Sequence, residues 1–305
     1  MMNKTDDFVP PGESSPLAYQ NEAFLNSADG RIVRILSEYS EPLARFRRER
    51  VQDTVVFFGS ARILAMDAAT RALEAVKDAA GEMDAAAAAL RHQSEAAVEM
   101  AHYYEDARKL AAMLTEWAKT LKSRRQRFVV TSGGGPGIME AANRGARDAG
   151  GKTIGLNIRL PFEQSANPYV TPALNFTFHY FFMRKYWFAY LAKALVAFPG
   201  GFGTMDELFE LLTLCQTKKL AKHISIVMYG SAYWKEVVNL NQFVEKGMIS
   251  AEDLELFRIV DTPQEAFDFL KADLIRYHLE PEAQRARLHS IEEDQLLNPE
   301  IAQTR

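Results

Sequence analysis

RFVVTSGGGPGIMEAANRGA, residues 127–146, runs from a β-branched and aromatic segment through a glycine-rich turn into a helix former. A short apolar run bounded by glycines reads as a buried strand, and Ile138, Ala141, Ala142 and Ala146 share one helical face after it. Strand, loop and helix in that order form the repeating unit of a parallel α/β sheet. Gly133, Gly134, Gly135 and Gly137 let backbone approach a ligand closely, and the N–H groups of a helix start suit a phosphate. No Gly-Lys-Ser/Thr follows, and the spacing is not GxGxxG, so the turn is neither a Walker loop nor the dinucleotide fingerprint. The pattern therefore points to a mononucleotide or sugar phosphate, or, more simply, to close helix packing.

The same alternation extends in both directions. Upstream, TVVFFGS at 54–60 reads as a buried strand leaving into a loop at Gly59 and Ser60, which by itself is also what a tight strand-to-helix turn looks like. Further strands are expected at 127–131, 152–157, 175–179, 194–198, 223–229 and 257–261, with helices near 137–149, 180–193, 204–217, 231–246 and 263–276. The fold class is α/β: a Rossmann-like, doubly wound, mainly parallel sheet with right-handed crossovers. Between the first two strands, about 63–123 is rich in Ala, Glu, Leu, Met and Lys, so a long helical insertion is expected after the first strand, with a packing or assembly role. The domain reading is an N-terminal extension with a helix at 1–50, a single nucleotide-binding domain at 51–280 and a polar tail at 281–305.

Composition narrows the function classes. The 305 residues carry 36 basic and 40 acidic side chains, a formal charge of −4, which argues against a nucleic-acid partner. A single cysteine, Cys215, excludes an internal disulfide framework. No window holds the roughly 18 unbroken apolar residues of a membrane helix, and no apolar signal segment follows the first charges. The expectation is a cytoplasmic protein without membrane partners.

Ligands of such sheets bind beyond the carboxyl ends of the strands, which directs attention to one further loop. VAFPGGFGTMDELFELLT, residues 196–213, breaks a buried run at Pro199, Gly200, Gly201 and Gly203, then starts an acidic helix with Thr204, Asp206 and Glu207. Thr204 as an N-cap and two acids complementing the helix dipole are one reading; half of a phosphate cradle is the other. Adjacent helical residues point about 100° apart, so Asp206 and Glu207 are not both expected in one site, and one of the two is left to serve the helix. Just upstream, HYFFMRKYWFAYLAKA at 179–194 places Arg184 and Lys185 in an aromatic helix. An arginine fork suits a phosphate or a carboxylate, whereas His179 lacks the Cys or His partners of a zinc site. No metal or cofactor is expected.

GGGPGIMEAANRGA, MRK and PGGFGTMDE, in this order and with 15 positions from Arg184 to Pro199, resemble the Lonely guy (LOG) family, often labelled possible lysine decarboxylases. The resemblance covers about 54–60 and 127–270, with the PGGxGTxxE motif complete. It implies a Rossmann-like fold and hydrolysis of the N-glycosidic bond of nucleoside 5′-monophosphates to a free base and ribose 5-phosphate. The cytokinin-activating members act on N6-modified adenosine monophosphates and bacterial relatives also on ordinary purine or pyrimidine monophosphates, so the resemblance implies AMP or N6-modified AMP as the favoured substrate. By matching positions it implies Arg184 and Glu207 as catalytic, and Lys185, the glycine loop 200–204, Thr213 and Gly133–Gly137 as nucleotide contacts, with Glu163 in LPFEQ a looser match. It also implies a homo-oligomer, a dimer or larger. Two other classes stay open: a non-catalytic carrier of a phosphorylated cofactor such as the molybdenum cofactor, and an assembly protein acting through the helical insertion. The decarboxylase label finds no support, since no lysine sits in a recognisable pyridoxal-phosphate setting.

Overall fold

The computed structural model describes residues 15–78, 85–160 and 166–282. The chain divides between Ala44 and Arg45 into two compact units. In the first, α1 (Glu22–Asn26) is capped by Asn21, whose side chain accepts from Phe24 N at 3.1 Å, and α2 (Arg31–Arg48) begins. Arg34 donates to Ser27 O at 2.8 Å and to Leu25 O, tying α2 to the end of α1.

The second unit is a seven-stranded, fully parallel sheet. In chain order it contains β1 (Thr54–Phe58), α3 (Met66–Asp78), α4 (Ala85–Met100), α5 (His102–Thr120), β2 (Val129–Ser132), α6 (Ile138–Asp148), β3 (Thr153–Ile158), β4 (Asn175–Phe178), α7 (Phe181–Leu191) and β5 (Ala192–Ala197). There follow α8 (Phe202–Gln216), β6 (Ser225–Tyr229), α9 (Ser231–Val237), α10 (Leu240–Glu245), β7 (Phe257–Val260) and α11 (Pro263–Leu274), which continues through a π-type turn at Ile275–Leu279. All seven expected strands are present, and the architecture is the α/β, Rossmann-like one read from the sequence. The expected helix at 231–246 is two: Val238 is extended and Asn239 starts a new helix, its side chain accepting from Gln242 N at 3.2 Å.

The strand order is β4-β3-β2-β1-β5-β6-β7, with in-register pairs such as Val55 with Val130 and Val56 with Leu195. β1, β2 and β6 are buried along their whole length, and β1 and β6 accordingly read, after a first polar residue, as consecutive apolar runs instead of alternating ones. Alternate residues serve the two faces. Val55, Phe57, Val130, Val196 and Val227 pack under α5, α6 and α11, while Phe58 meets Phe188 of α7 edge-on at 4.8 Å on the other side.

Within the helical stretch after β1, the three helices differ. α3 and α4 bury only Ala69 and Ser94, whereas α5 buries Tyr103, Tyr104, Ala107, Leu110, Ala111, Leu114 and Thr115. α5 is therefore the crossover helix of the β1–β2 unit, lying on the sheet beside α6. Gly145 lets the two approach: a Cβ there would run into the Arg108 backbone. Among the described residues no helix is long and apolar enough to cross a membrane.

Candidate functional site

The strand order reverses at β1. The chain moves outward through β2, β3 and β4 on one side, then returns to lay β5 on the other. The loops leaving β2, β1 and β5 are consequently neighbours at the carboxyl end of the sheet, around the switch point where open α/β sheets hold their ligands.

These three loops are bonded together through Ser60. Its N–H donates to Pro199 O at 2.9 Å, and its carbonyl accepts from Ile138 N at 3.1 Å. Glycines permit the close approach. A Cβ on Gly137 (φ +68°) would meet Ser60 O and Ala61, one on Gly200 would meet Thr204 and Ser60 N, and one on Gly59 would meet Ile138. Gly201 and Gly203 are different: a Cβ on either meets nothing within 4 Å. Packing within the described residues gives no reason for glycine at these two positions.

Both helices that start here lack a side-chain cap. Gly137 precedes α6 and Gly201 precedes α8, and neither cap position offers a side-chain acceptor to the first N–H groups. α8 starts at Phe202, two residues before its expected start, so Thr204 is a buried first-turn residue and not the N-cap. Phe202, at the tip of the loop, is 96% exposed.

The Gly133–Gly135 turn is fixed by three buried asparagines that sequence reasoning did not single out. Asn167 donates to Gly135 O at 2.9 Å and to Asn143 Oδ1 at 2.9 Å, and its backbone N–H donates to Gly134 O at 2.8 Å. Asn143 Oδ1 also accepts from Ser132 Oγ at 2.7 Å, and Ser132 Oγ in turn accepts from Gly134 N at 3.1 Å. Asn157 lies beneath Gly134, leaving no room for a Cβ, and donates to Asn175 Oδ1 at 2.7 Å. An asparagine on the apolar face of a helix, as Asn143 is in EAANRGA, is the one sequence signal of this network.

The charged residues sit on α7 and α8, which flank β5 in sequence. Arg184 Nη2 donates to Glu207 Oε1 at 3.1 Å, with only 15% and 6% of the two side chains exposed. The guanidinium also lies 5.1 Å from the Phe181 ring and 5.6 Å from that of Phe188. Its Nε is buried without a partner among the described residues. Lys185 Nζ bonds Asp206 at 2.8 Å and Glu210 at 2.7 Å, and lies 3.9 Å from Glu207.

Burial pushes the Glu207 carboxyl above the ordinary glutamate value, against the opposing pull of Arg184 and Lys185. Burial also works against the Lys185 ammonium, but its bonds to Asp206 and Glu210 outweigh this and raise it. Asp206 thus does more than serve its helix, because it anchors the lysine beside Glu207. Thr213 stands apart, its hydroxyl donating to Phe209 O at 2.7 Å, on an open groove shared with Lys185, Asp206 and Glu210. Glu163 lies outside the described residues. Among the described residues no group of three His, Cys, Asp or Glu side chains is placed to hold a metal.

Comparison with known proteins agrees with this local pattern. A family model described as possible lysine decarboxylase matches residues 139–270. A probable cytokinin riboside 5′-monophosphate phosphoribohydrolase of Oryza sativa subsp. japonica is 32% identical over 95 residues, which cover 31% of this chain and 44% of the relative. A cytokinin riboside 5′-monophosphate phosphoribohydrolase of Arabidopsis thaliana is 27% identical over 139 residues, 45% of this chain and 63% of the relative. The chain spans about half the length of the curated relatives it matches, from 44% to 61% for the first three. Among solved structures, the molybdenum cofactor carrier protein of Chlamydomonas reinhardtii aligns with 73% of this chain and 98% of its own at 17% identity and a TM-score of 0.42. The family match and these relatives bear out the resemblance to the Lonely guy family.

Proposed function

We propose that this LOG-like chain hydrolyses the N-glycosidic bond of nucleoside 5′-monophosphates, with AMP or an N6-modified AMP as substrate, releasing the base and ribose 5-phosphate. The observation that carries the reading is the buried Arg184–Glu207 pair, held at 3.1 Å one turn into the helix that the PGGFG loop starts. A site that only binds a phosphate has use for the glycine loops but not for a carboxylate kept in a dry setting beside them.

In this reading the uncapped starts of α6 and α8 take the phosphate, with Gly201 and Gly203 leaving space for it. Cleavage develops positive charge on the ribose at C1′, which the Glu207 carboxylate stabilises while orienting the attacking water. Water adds its oxygen to C1′, the bond to the base nitrogen breaks, and the water proton ends on the base. Arg184 holds the anionic substrate and positions the ribose. Beside Lys185 a groove of about 520 Å³ has walls of Phe182, Tyr186, Tyr190 and Leu214, aromatic and apolar surface suited to a purine. The assembly that completes the site is proposed to be a homo-oligomer.

The test is incubation of the full chain with AMP, an N6-substituted AMP, GMP and CMP, followed by chromatography of the released base. Base release that disappears in Glu207→Ala with folding retained supports the proposal. No base from any monophosphate overturns it, and tight nucleotide binding without turnover assigns the chain to the carriers instead.

A further inference from the structure

The amino-terminal edge of the sheet, opposite the glycine loops, concentrates charge of its own. Val51 and Gln126, just ahead of β1 and β2, pair as an isolated parallel bridge, and Gln52 N donates to Gln126 O at 2.9 Å. The end of α2 and the turn before β2 are thereby held side by side. Between them opens a cleft of about 760 Å³ lined by Arg47, Arg50, Val51, Arg124 and Arg125.

Four of these five residues are arginines, all exposed, in a chain whose formal charge is −4. None of the four guanidinium groups has a hydrogen bond or ion pair with another described residue. The acids close by in the chain are engaged elsewhere. Glu49 bonds Lys152 at 2.9 Å, while Asp53 and Glu282 both bond Arg127, at 2.8 and 2.7 Å. Like charges gathered without an acid among them repel, and a bound anion relieves that repulsion. Arg50 adds backbone strain, because its φ of 58° lies in the left-handed region that glycine or asparagine adopts more readily.

We infer that this cleft is a second anion site, which binds a small ligand carrying two or more phosphate groups. Arginine presents a planar fork that engages phosphate oxygens in pairs and is more weakly hydrated than lysine. Four forks exceed what one phosphate can use, and the volume falls in the range of small-molecule sites, about 300–1,000 Å³. The site is distinct from the switch-point crevice: β1 alone, 5 residues long, separates the two edges by about 17 Å.

Calorimetric titration of the full chain with inorganic tripolyphosphate at about 50 mM salt tests this, using Arg50→Gly/Arg124→Ala and Arg184→Ala alongside the unaltered protein. Arg50→Gly relieves the left-handed backbone, and a melting curve verifies folding. The expected result is binding that the double variant weakens at least tenfold, that Arg184→Ala leaves in place and that about 500 mM salt suppresses. Equal affinity in the double variant, or loss of all binding in Arg184→Ala, overturns the inference. So does a cleft that binds a single-stranded oligonucleotide and ignores tripolyphosphate.

Discussion

Gly203→Ala separates a ligand from packing as the reason for glycine in the PGGFG loop. Gly203 sits in the first turn of α8 without a positive φ, and a Cβ there meets no atom within 4 Å. Alanine in a helix is favoured over glycine by about 0.5–1 kcal/mol, so the variant should melt unchanged or about 1–3 °C higher. If a phosphate sits over the uncapped start of α8, the new methyl group occupies its place. Losing one charge-assisted hydrogen bond, at about 1.5–3 kcal/mol, lowers kcat/KM for AMP by a factor of roughly ten to two hundred. Gly137→Ala is the contrast. Its φ of +68° and its contact with Ser60 O are demands of the fold, so it should lose at least about 2 kcal/mol of stability in urea unfolding as well as activity. Urea titration and initial rates of base release, measured on both variants, read the two effects separately. Unchanged AMP kinetics in Gly203→Ala would falsify the placement of the phosphate at this loop.

Other consequences follow from the buried charges and the helix layout. Glu207→Gln should cut kcat by about 10²–10⁴. Because the folded pKa of Glu207 is raised, its stabilising contribution exists below the unfolded value and is lost as pH rises through the folded one, so the glutamine variant should be no less stable at pH 8 in urea titration. For the same reason the acid limb of kcat/KM should lie above the ordinary glutamate value of 4.5, and Arg184→Gln, which removes a cation 3.1 Å away, should move it higher still. Arg127→Met strands the fully buried Asp53 and should cost about 3–5 kcal/mol, most of it regained in Arg127→Met/Asp53→Asn. Deleting 66–100 should leave a single cooperative unfolding transition, since α3 and α4 bury only Ala69 and Ser94, whereas Leu110→Ala in α5 should lose about 2–5 kcal/mol.

The strands were legible because burial on both faces demands it of their composition. After their first residues, Thr54 and Ser225, TVVFF and SIVMY are apolar throughout, since neither strand has a solvent side. The glycine loops were legible because only glycine tolerates the approach of Gly137 and Gly200 to Ser60. What the sequence did not reveal depends on contacts between elements far apart in the chain. Asn143 and Asn167 are bonded to each other while Asn157 packs against the same glycine turn, and no local pattern joins the three. Asp206 looked like a residue serving only its helix until α7 brought Lys185 to within 2.8 Å. The stretch 63–123 read as one helical insertion because α4 and α5 are both rich in good helix formers. Only the sheet decides that Leu110 and Leu114 are covered while Leu90 stays 51% exposed.

The same dependence on strand order explains the pairing at the heart of the proposed reaction. Gly137 and Gly200 are far apart in sequence, yet β2 and β5 are separated only by β1, about 10 Å from strand to strand, which one nucleotide spans. The helix that leads into β5 carries Arg184 and the helix that leaves it carries Glu207, so a single strand positions both groups. Left alone, the two satisfy each other. A bound phosphate competes with Glu207 for the guanidinium, whose Nε is already without a partner among the described residues. In the proposed cycle, substrate binding therefore draws Arg184 toward the phosphate and leaves the carboxylate less compensated in a dry site. That is the state in which a positive charge developing at C1′ is stabilised most strongly. Substrate then creates the electrostatic demand that its own cleavage relieves, and a nucleoside lacking the 5′-phosphate should turn over far more slowly even at saturating concentration.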